Sequence, residues 1–209
     1  PPALLRSEYQ EQRFRPDQSQ PGLFRYADWL PIRLHRSQAQ GPIVFRADRL
    51  AESLGLRNLI AVFSGFWPER GAFMETCSFK ELEAEAVTAR SPIAADRTLV
   101  VASAGNTARA FLHVCSLHKT PALIVVPETA LPKLWHTRPL NPCVKLLALG
   151  GNADYADAIA VAGRIAELPG FFAEGGAANV ARRDGMGTVL LAAAEHIGQL
   201  PTHYFQAVG

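Results

Sequence analysis

Three short stretches of this chain combine residue types that can do chemistry. The first is Thr76-Cys77-Ser78-Phe79-Lys80-Glu81, in which a lysine follows a polar turn and an aromatic ring. The Glu-, Ala- and Leu-rich run after it predicts a helix starting at Lys80. A cation gains nothing from the dipole at a helix start, so the position suits a nucleophilic amine. It equally suits a solvated surface lysine. The second stretch is Ala102-Ser103-Ala104-Gly105-Asn106-Thr107. It leaves an apolar run and opens a helix, where free N–H groups attract a carboxylate or phosphate. Its small residues let a ligand approach the backbone, and Ser103, Asn106 and Thr107 add side-chain donors. An ordinary N-cap uses the same residue types. The third is Glu174 to Thr188, EGGAANVARRDGMGT. Its glycines and the tandem Arg182 and Arg183 read as an anion-contacting loop, a domain interface or a solvated charge pair.

Other chemistries lack their signatures. No Lys-Ser/Thr follows the spaced glycines, so there is no P-loop, and GxGxxG does not occur. A serine hydrolase using Ser103 would lack the first glycine of the GxSxG elbow and an identifiable Asp/His pair. His113 and His118 are five apart and do not share a helix face as HExxH histidines do. No metal site is expected. Cys77, Cys115 and Cys143 form no CxxC pair. They predict neither a disulfide framework nor a zinc knuckle, and read as small buried hydrophobes. Cys77 is close enough to Lys80 in sequence to line the same pocket.

The elements that must position these loops follow from apolar patterning. Residues 1–42 are polar and proline-bearing around one aromatic cluster, FRYADWLP at 24–31, and read as an extended lead-in. Strands are predicted at 58–64, 98–103, 122–126, 144–149 and 203–208, with helices at 80–89, 107–119, 155–168 and 188–199. Gly65, Pro68 and Gly71 predict a loop. Strands alternating with helices of this length mean βαβ units, an α/β fold with a parallel sheet covered on both faces. Ligands in such sheets sit at the carboxyl ends of the strands, where the second loop lies. A terminal buried strand normally runs into a further loop and helix. Together with a start at Pro1-Pro2, this reads as the N-terminal portion of a longer, processed protein.

Composition narrows the function classes. The chain has 209 residues, 48% hydrophobic and 19% charged, with a formal charge of +2 from 21 basic and 19 acidic residues. That excludes a disordered chain and gives no electrostatic reason to expect nucleic acid or an anionic membrane. No apolar run reaches the ~18–20 residues that span a bilayer. Cysteine usage points to a reducing cytoplasm.

Taken together, the Ser-Phe-Lys at a helix start and the strand–Ser-x-Gly-Asn-Thr–helix that follows resemble the fold-type II (tryptophan synthase β-like) pyridoxal-phosphate (PLP) enzymes. Threonine synthase and the cysteine synthases belong to that group. The resemblance implies that Lys80 holds PLP covalently and that Asn106 hydrogen-bonds the cofactor's ring hydroxyl. It also implies that Ser103, Gly105 and Thr107 hold the substrate carboxylate. FRYADWLP, FSGFWPERGA, TCSFKELEA, ASAGNTARAF, PKLW, EGGAANVARRDGMGT and HYFQAVG are similar to the cysteate synthase family, relatives of threonine synthase. The implied reaction is O-phospho-L-serine plus sulfite to L-cysteate plus phosphate, in coenzyme M biosynthesis. Both leaving group and nucleophile are anions, so Arg109, Arg182 or Arg183 is expected at an anion site. Residues 1–84 would start the large domain, 85–195 form the small α/β domain, and 196–209 begin the remaining large domain. Ala104 and Ala108 stand where many relatives carry glycine. The glycine-rich cup for the PLP phosphate lies beyond this sequence, so the piece alone is expected to be inactive. A homo-oligomer is expected of the full-length protein. Threonine synthase, a phosphoserine-dependent cysteine synthase, or a non-catalytic truncated homologue are the alternatives.

Overall fold

In the computed structural model, which describes residues 7–90, 92–94 and 96–207, four apolar runs pair side by side. They are β5 (Thr98–Ala102), β6 (Ala122–Pro127), β7 (Val144–Leu149) and β8 (Phe171–Ala173). The sheet order is β7-β6-β5-β8, and every pairing is parallel. Successive strand side chains point to opposite faces. Leu99, Val101, Ile124 and Val126 therefore pack on one side, in the same cluster as Phe111, Val114 and Cys115 of α3 (Asn106–Leu117). Val100 and Val125 pack on the other, against Ala158 and Ala162 of α4 (Tyr155–Ala166). A capping box fixes the start of α4: Asp154 accepts from Asp157 N at 3.0 Å, and Asp157 accepts from Asp154 N at 2.9 Å.

Ahead of this sheet, β1 (Ile43–Arg46) and β2 (Ile60–Phe63) pair antiparallel around α1 (Asp48–Ser53). The segment read as a loop at 65–71 is a small hairpin of β3 (Phe66–Trp67) and β4 (Ala72–Phe73), closed by a 3-10 turn at Pro68–Arg70. α2 (Lys80–Ala89) is buried at every residue, including Lys80, Glu81, Glu83 and Glu85. It packs against α3 and α5 (Val180–Ile197).

The lead-in is more ordered than its composition suggests. Gly22–Trp29 forms 3-10 helix because Leu23, Phe24 and Tyr26 find full or near-full burial there. Arg33 N and Leu34 N then donate to the Ala89 carbonyl at 2.9 and 3.0 Å, tying the segment to the end of α2.

Two other expectations change. The last helix starts at Val180 rather than near 188, so most of the glycine-bearing third stretch is helical. Asn179 caps it, accepting from Ala181 N at 3.0 Å. Residues 203–207 form no strand; the last residue of that expected strand, Val208, lies outside the described residues.

Candidate functional site

The ends of β5 and β8 and the starts of α2, α4 and α5 enclose a cleft of about 780 Å³. Lys80 reaches it from the first residue of α2, and Tyr155 and Ile159 line it from α4. The turn that delivers Lys80 is clamped from within. Glu81 accepts from Thr76 N at 3.0 Å and from the Thr76 hydroxyl at 2.7 Å, while Lys80 N donates to Ser78 Oγ at 3.2 Å. Burial pushes the Glu81 carboxyl up to about 7, against the pull of the Thr76 donors.

The Lys80 amine sits at the end of a chain of alternating charges. Its Nζ is 3.4 Å from Glu83 Oε2, donates to Met186 Sδ at 3.2 Å and lies 5.2 Å from the centre of the Phe79 ring. The other oxygen of Glu83 lies 2.8 Å from Arg182 Nε. Arg182 Nη1 donates to Glu174 Oε2 at 3.0 Å, which also accepts from Gly176 N at 2.9 Å. Glu83 is fully buried. Its contacts with Lys80 and Arg182 are ion pairs. Burial raises the Glu83 and Glu174 carboxyls above the ordinary range, and the Arg182 guanidinium opposes this at both. Gly175 and Gly176, at φ +100° and +55°, turn the chain from β8 toward α5 in a conformation that side chains resist.

Of the residues expected at a site, Lys80, Arg182 and Arg183 line this cleft. Ser103, Gly105, Asn106, Thr107 and Arg109 do not; the lining stops at Ala102, just before their turn. Asn106 is exposed, and its Oδ1 accepts from Arg109 Nη2 at 3.0 Å. Arg109 is itself engaged, 4.2 Å over the Trp135 ring and donating to the Lys133 carbonyl at 3.4 Å. Ser103 Oγ accepts from Gly105 N at 3.3 Å. Cys77 is exposed and absent from the lining, so only Cys115 fits the buried-hydrophobe reading in full. Among the described residues, no group of three or more His, Cys, Asp or Glu side chains is arranged to hold a metal ion. Sequence reasoning missed Glu83 and Met186 as partners of Lys80. The i, i+3 spacing of Lys80 and Glu83 on a helix was the available signal.

Known proteins carry related sequences. Cysteate synthase of Methanosarcina barkeri is 51% identical over 207 residues, covering 99% of this chain and 50% of that protein. Cysteate synthase of Methanosphaerula palustris is 51% identical over 209 residues, covering 100% of this chain and 48% of that protein. The chain thus spans about half the length of the curated relatives it matches. Among solved structures, diaminopropionate ammonia lyase from Escherichia coli, in complex with D-serine, superposes with a TM-score of 0.58 at 15% identity. That match covers 80% of this chain and 48% of the lyase. Maize serine racemase gives 0.53 at 17% identity, over 75% of this chain and 45% of the racemase. At such identities the likeness is one of fold, and it agrees with the α/β architecture and its parallel sheet. The sequence model of pyridoxal-phosphate dependent enzymes matches residues 40–209, the stretch that holds the parallel sheet, Lys80 and every residue lining the cleft, and the chain belongs to that family.

Proposed function

We propose that this chain is the Lys80-bearing part of an enzyme that joins O-phospho-L-serine and sulfite into L-cysteate and phosphate. The observation that carries the reading is the placement of Lys80. It is the buried member of four lysines, and it lines the cleft while Lys119, Lys133 and Lys145 are exposed. About half-identity to cysteate synthases along nearly the whole chain supports the choice of reaction.

The residues present fit PLP. The cleft volume falls within the ~300–1,000 Å³ of small-molecule and cofactor sites. It presents one amine able to bond an aldehyde, and the bare backbone of Gly175 and Gly176 lies beside it. When bound, PLP supplies an electron sink for charge at the substrate α-carbon. Lys80 anchors the cofactor and moves the α-proton as general base. Asn106 serves the ring hydroxyl, for which its side chain turns away from Arg109. Ser103, Gly105 and Thr107 receive the substrate carboxylate at the start of α3. Arg182 and Arg183 bring positive charge toward the departing phosphate and the incoming sulfite.

In the whole protein we assign residues 1–84 and 196–209 to the large domain and 85–195 to the small one, with both boundaries falling inside continuous helices, α2 and α5. A cytoplasmic homo-oligomer serving coenzyme M biosynthesis completes the proposal. No helix among the described residues is long and apolar enough to cross a membrane.

The test uses the full-length protein with PLP. Phosphoserine and sulfite should yield cysteate and phosphate, and borohydride reduction should fix the cofactor on the peptide containing Lys80. Turnover with sulfide in place of sulfite, or of phosphohomoserine with water, would replace this reading by a cysteine or threonine synthase.

A further inference from the structure

We infer that Glu83 is a positioning residue for the Lys80 amine, held to that task by Arg182. The inference rests on the assignment of Lys80 as the cofactor lysine. It begins from a cost. A carboxylate with no exposed surface is expensive to bury and persists only where cations neutralise it. Glu83 is fully buried, and its two oxygens face two different cations, Lys80 at 3.4 Å and Arg182 at 2.8 Å. Arg182 is anchored in turn on Glu174 at 3.0 Å, and Glu174 on the Gly176 amide at 2.9 Å. The series links α2, α5 and the turn after β8, the three segments around the Lys80 end of the cleft.

Helix geometry sets the direction of the hold. Glu83 follows Lys80 by one turn, and i, i+3 side chains lie on one face. A lysine at the first residue of a helix is otherwise free to swing on four methylenes into solvent. The Glu83 carboxylate draws the ammonium back over its own helix, beside Met186 and at the cleft wall. Arg182, approaching from α5, stops Glu83 from following the lysine outward. Charge alone does not explain the arrangement. The four groups sum to zero, and apolar side chains of equal volume fill such space at no greater cost. What the ion pairs add is a fixed place for one amine.

The experiment compares wild-type full-length protein with Glu83→Gln and Glu83→Asp. Cofactor-free protein is treated briefly with an amine-acylating reagent, and labelling at each lysine is read by peptide mass. Lys119, Lys133 and Lys145 are exposed and serve as internal references. Glu83→Gln removes the charge that holds the amine, and Lys80 labelling should rise by about tenfold, the factor given by loss of a contact to a charged group. The reference lysines should not change. Glu83→Asp keeps the charge and its pairing with Arg182 but shortens the reach, so its Lys80 labelling should fall between the other two. Should Glu83→Gln not fold, the difference between Glu83→Asp and wild type decides. Equal Lys80 labelling in wild type and Glu83→Asp, or a parallel rise at the reference lysines, overturns the inference. Borohydride capture of PLP in the wild type reads the parent assignment separately: cofactor fixed on a lysine other than Lys80 would sink that assignment and leave the labelling result standing.

Discussion

Gly185 of α5 lies so close to Ala86 of α2 that no side chain fits between them. A Cβ on Gly185 would stand 2.5 Å from the Ala86 Cβ and 2.7 Å from the Leu82 carbonyl oxygen. That approach brings α5 onto α2 and lets Arg182, one turn earlier, reach Glu83. Glycine inside a helix ordinarily costs about 1 kcal/mol relative to alanine. Here Gly185→Ala should destabilise instead. The obstructing atoms are a Cβ and a backbone carbonyl, which cannot swing aside, and overpacking of this kind costs about 1–3 kcal/mol. Denaturant unfolding of the variant should show a lower midpoint at unchanged slope. A midpoint above wild type would mean that the two helices separate without penalty.

Glu81 should make stability depend on pH in a direction opposite to that of a salt-bridged carboxylate. Burial raises its folded-state value to about 7 from an ordinary 4.5. Below 4.5 the group is protonated in both states and its contribution to stability is fully present. As pH rises from 4.5 to 7 the unfolded chain ionises first, so that contribution is lost progressively, up to ~3 kcal/mol. Above 7 it levels off. Glu81→Gln should flatten this slope between pH 5 and 7 in thermal or denaturant unfolding. A variant with the same slope as wild type would show that other groups produce it.

The alternation of strand and helix from 98 to 166 is legible because its strands are short β-branched runs and its helices carry a clear period. β8 was missed because three residues after Pro169-Gly170 hold no pattern, and its strand character comes from pairing with β5. The first half of α5 was missed because Gly185 and Gly187 argue against helix locally. Packing on α2 overrides that argument, and it needs the smallness of Gly185 to do so. Residues 203–207 have a strand's composition, but the described sheets pair none of them. Lys80 was legible at a helix start. The i, i+3 partner Glu83 was within reach of the same reading; the hold of Arg182 on Glu83 was not, since it depends on two helices from opposite halves of the chain meeting.

The N-terminal segment should depend on one buried hydroxyl. Tyr26 is 3% exposed and its OH donates to the Glu195 carboxylate of α5. Burial, then that carboxylate, holds the phenol well above its ordinary range. Tyr26→Phe leaves Glu195 with Arg25 and Gln18 as partners, so the loss should be a single hydrogen bond to a charged group, about 1.5–3 kcal/mol. Limited proteolysis should then cut within residues 7–40 faster than in wild type. Unchanged cleavage would place the anchoring elsewhere, in the backbone bonds of Arg33 and Leu34 to Ala89.

The three arginines expected at an anion site should separate by their surroundings. Arg182 faces two buried carboxylates, Glu83 and Glu174. Replacing it with methionine removes the cation they share, leaving Glu83 with Lys80 and Glu174 with the Gly176 amide, and breaking a buried ion pair from one side costs about 3–5 kcal/mol. Arg182→Met should therefore be read first in stability. Arg109 lies off the cleft, stacked on Trp135 and bonded to Asn106. Arg109→Ala should act through the freedom of Asn106, which no longer has to leave Arg109 to reach the ring hydroxyl, so retention of PLP should not fall and the apparent affinity for sulfite should stay as in wild type. Arg183 lines the cleft. In the full-length protein Arg183→Ala should raise the KM for phosphoserine and for sulfite by about tenfold, the equivalent of ~1.4 kcal/mol. Thermal scans and steady-state kinetics on the three variants distinguish these outcomes. Unaltered KM values in Arg183→Ala would show that the anions bind away from this wall of the cleft. A stable Arg182→Met protein would show that Lys80 and the Gly176 amide suffice to hold Glu83 and Glu174 in the folded state.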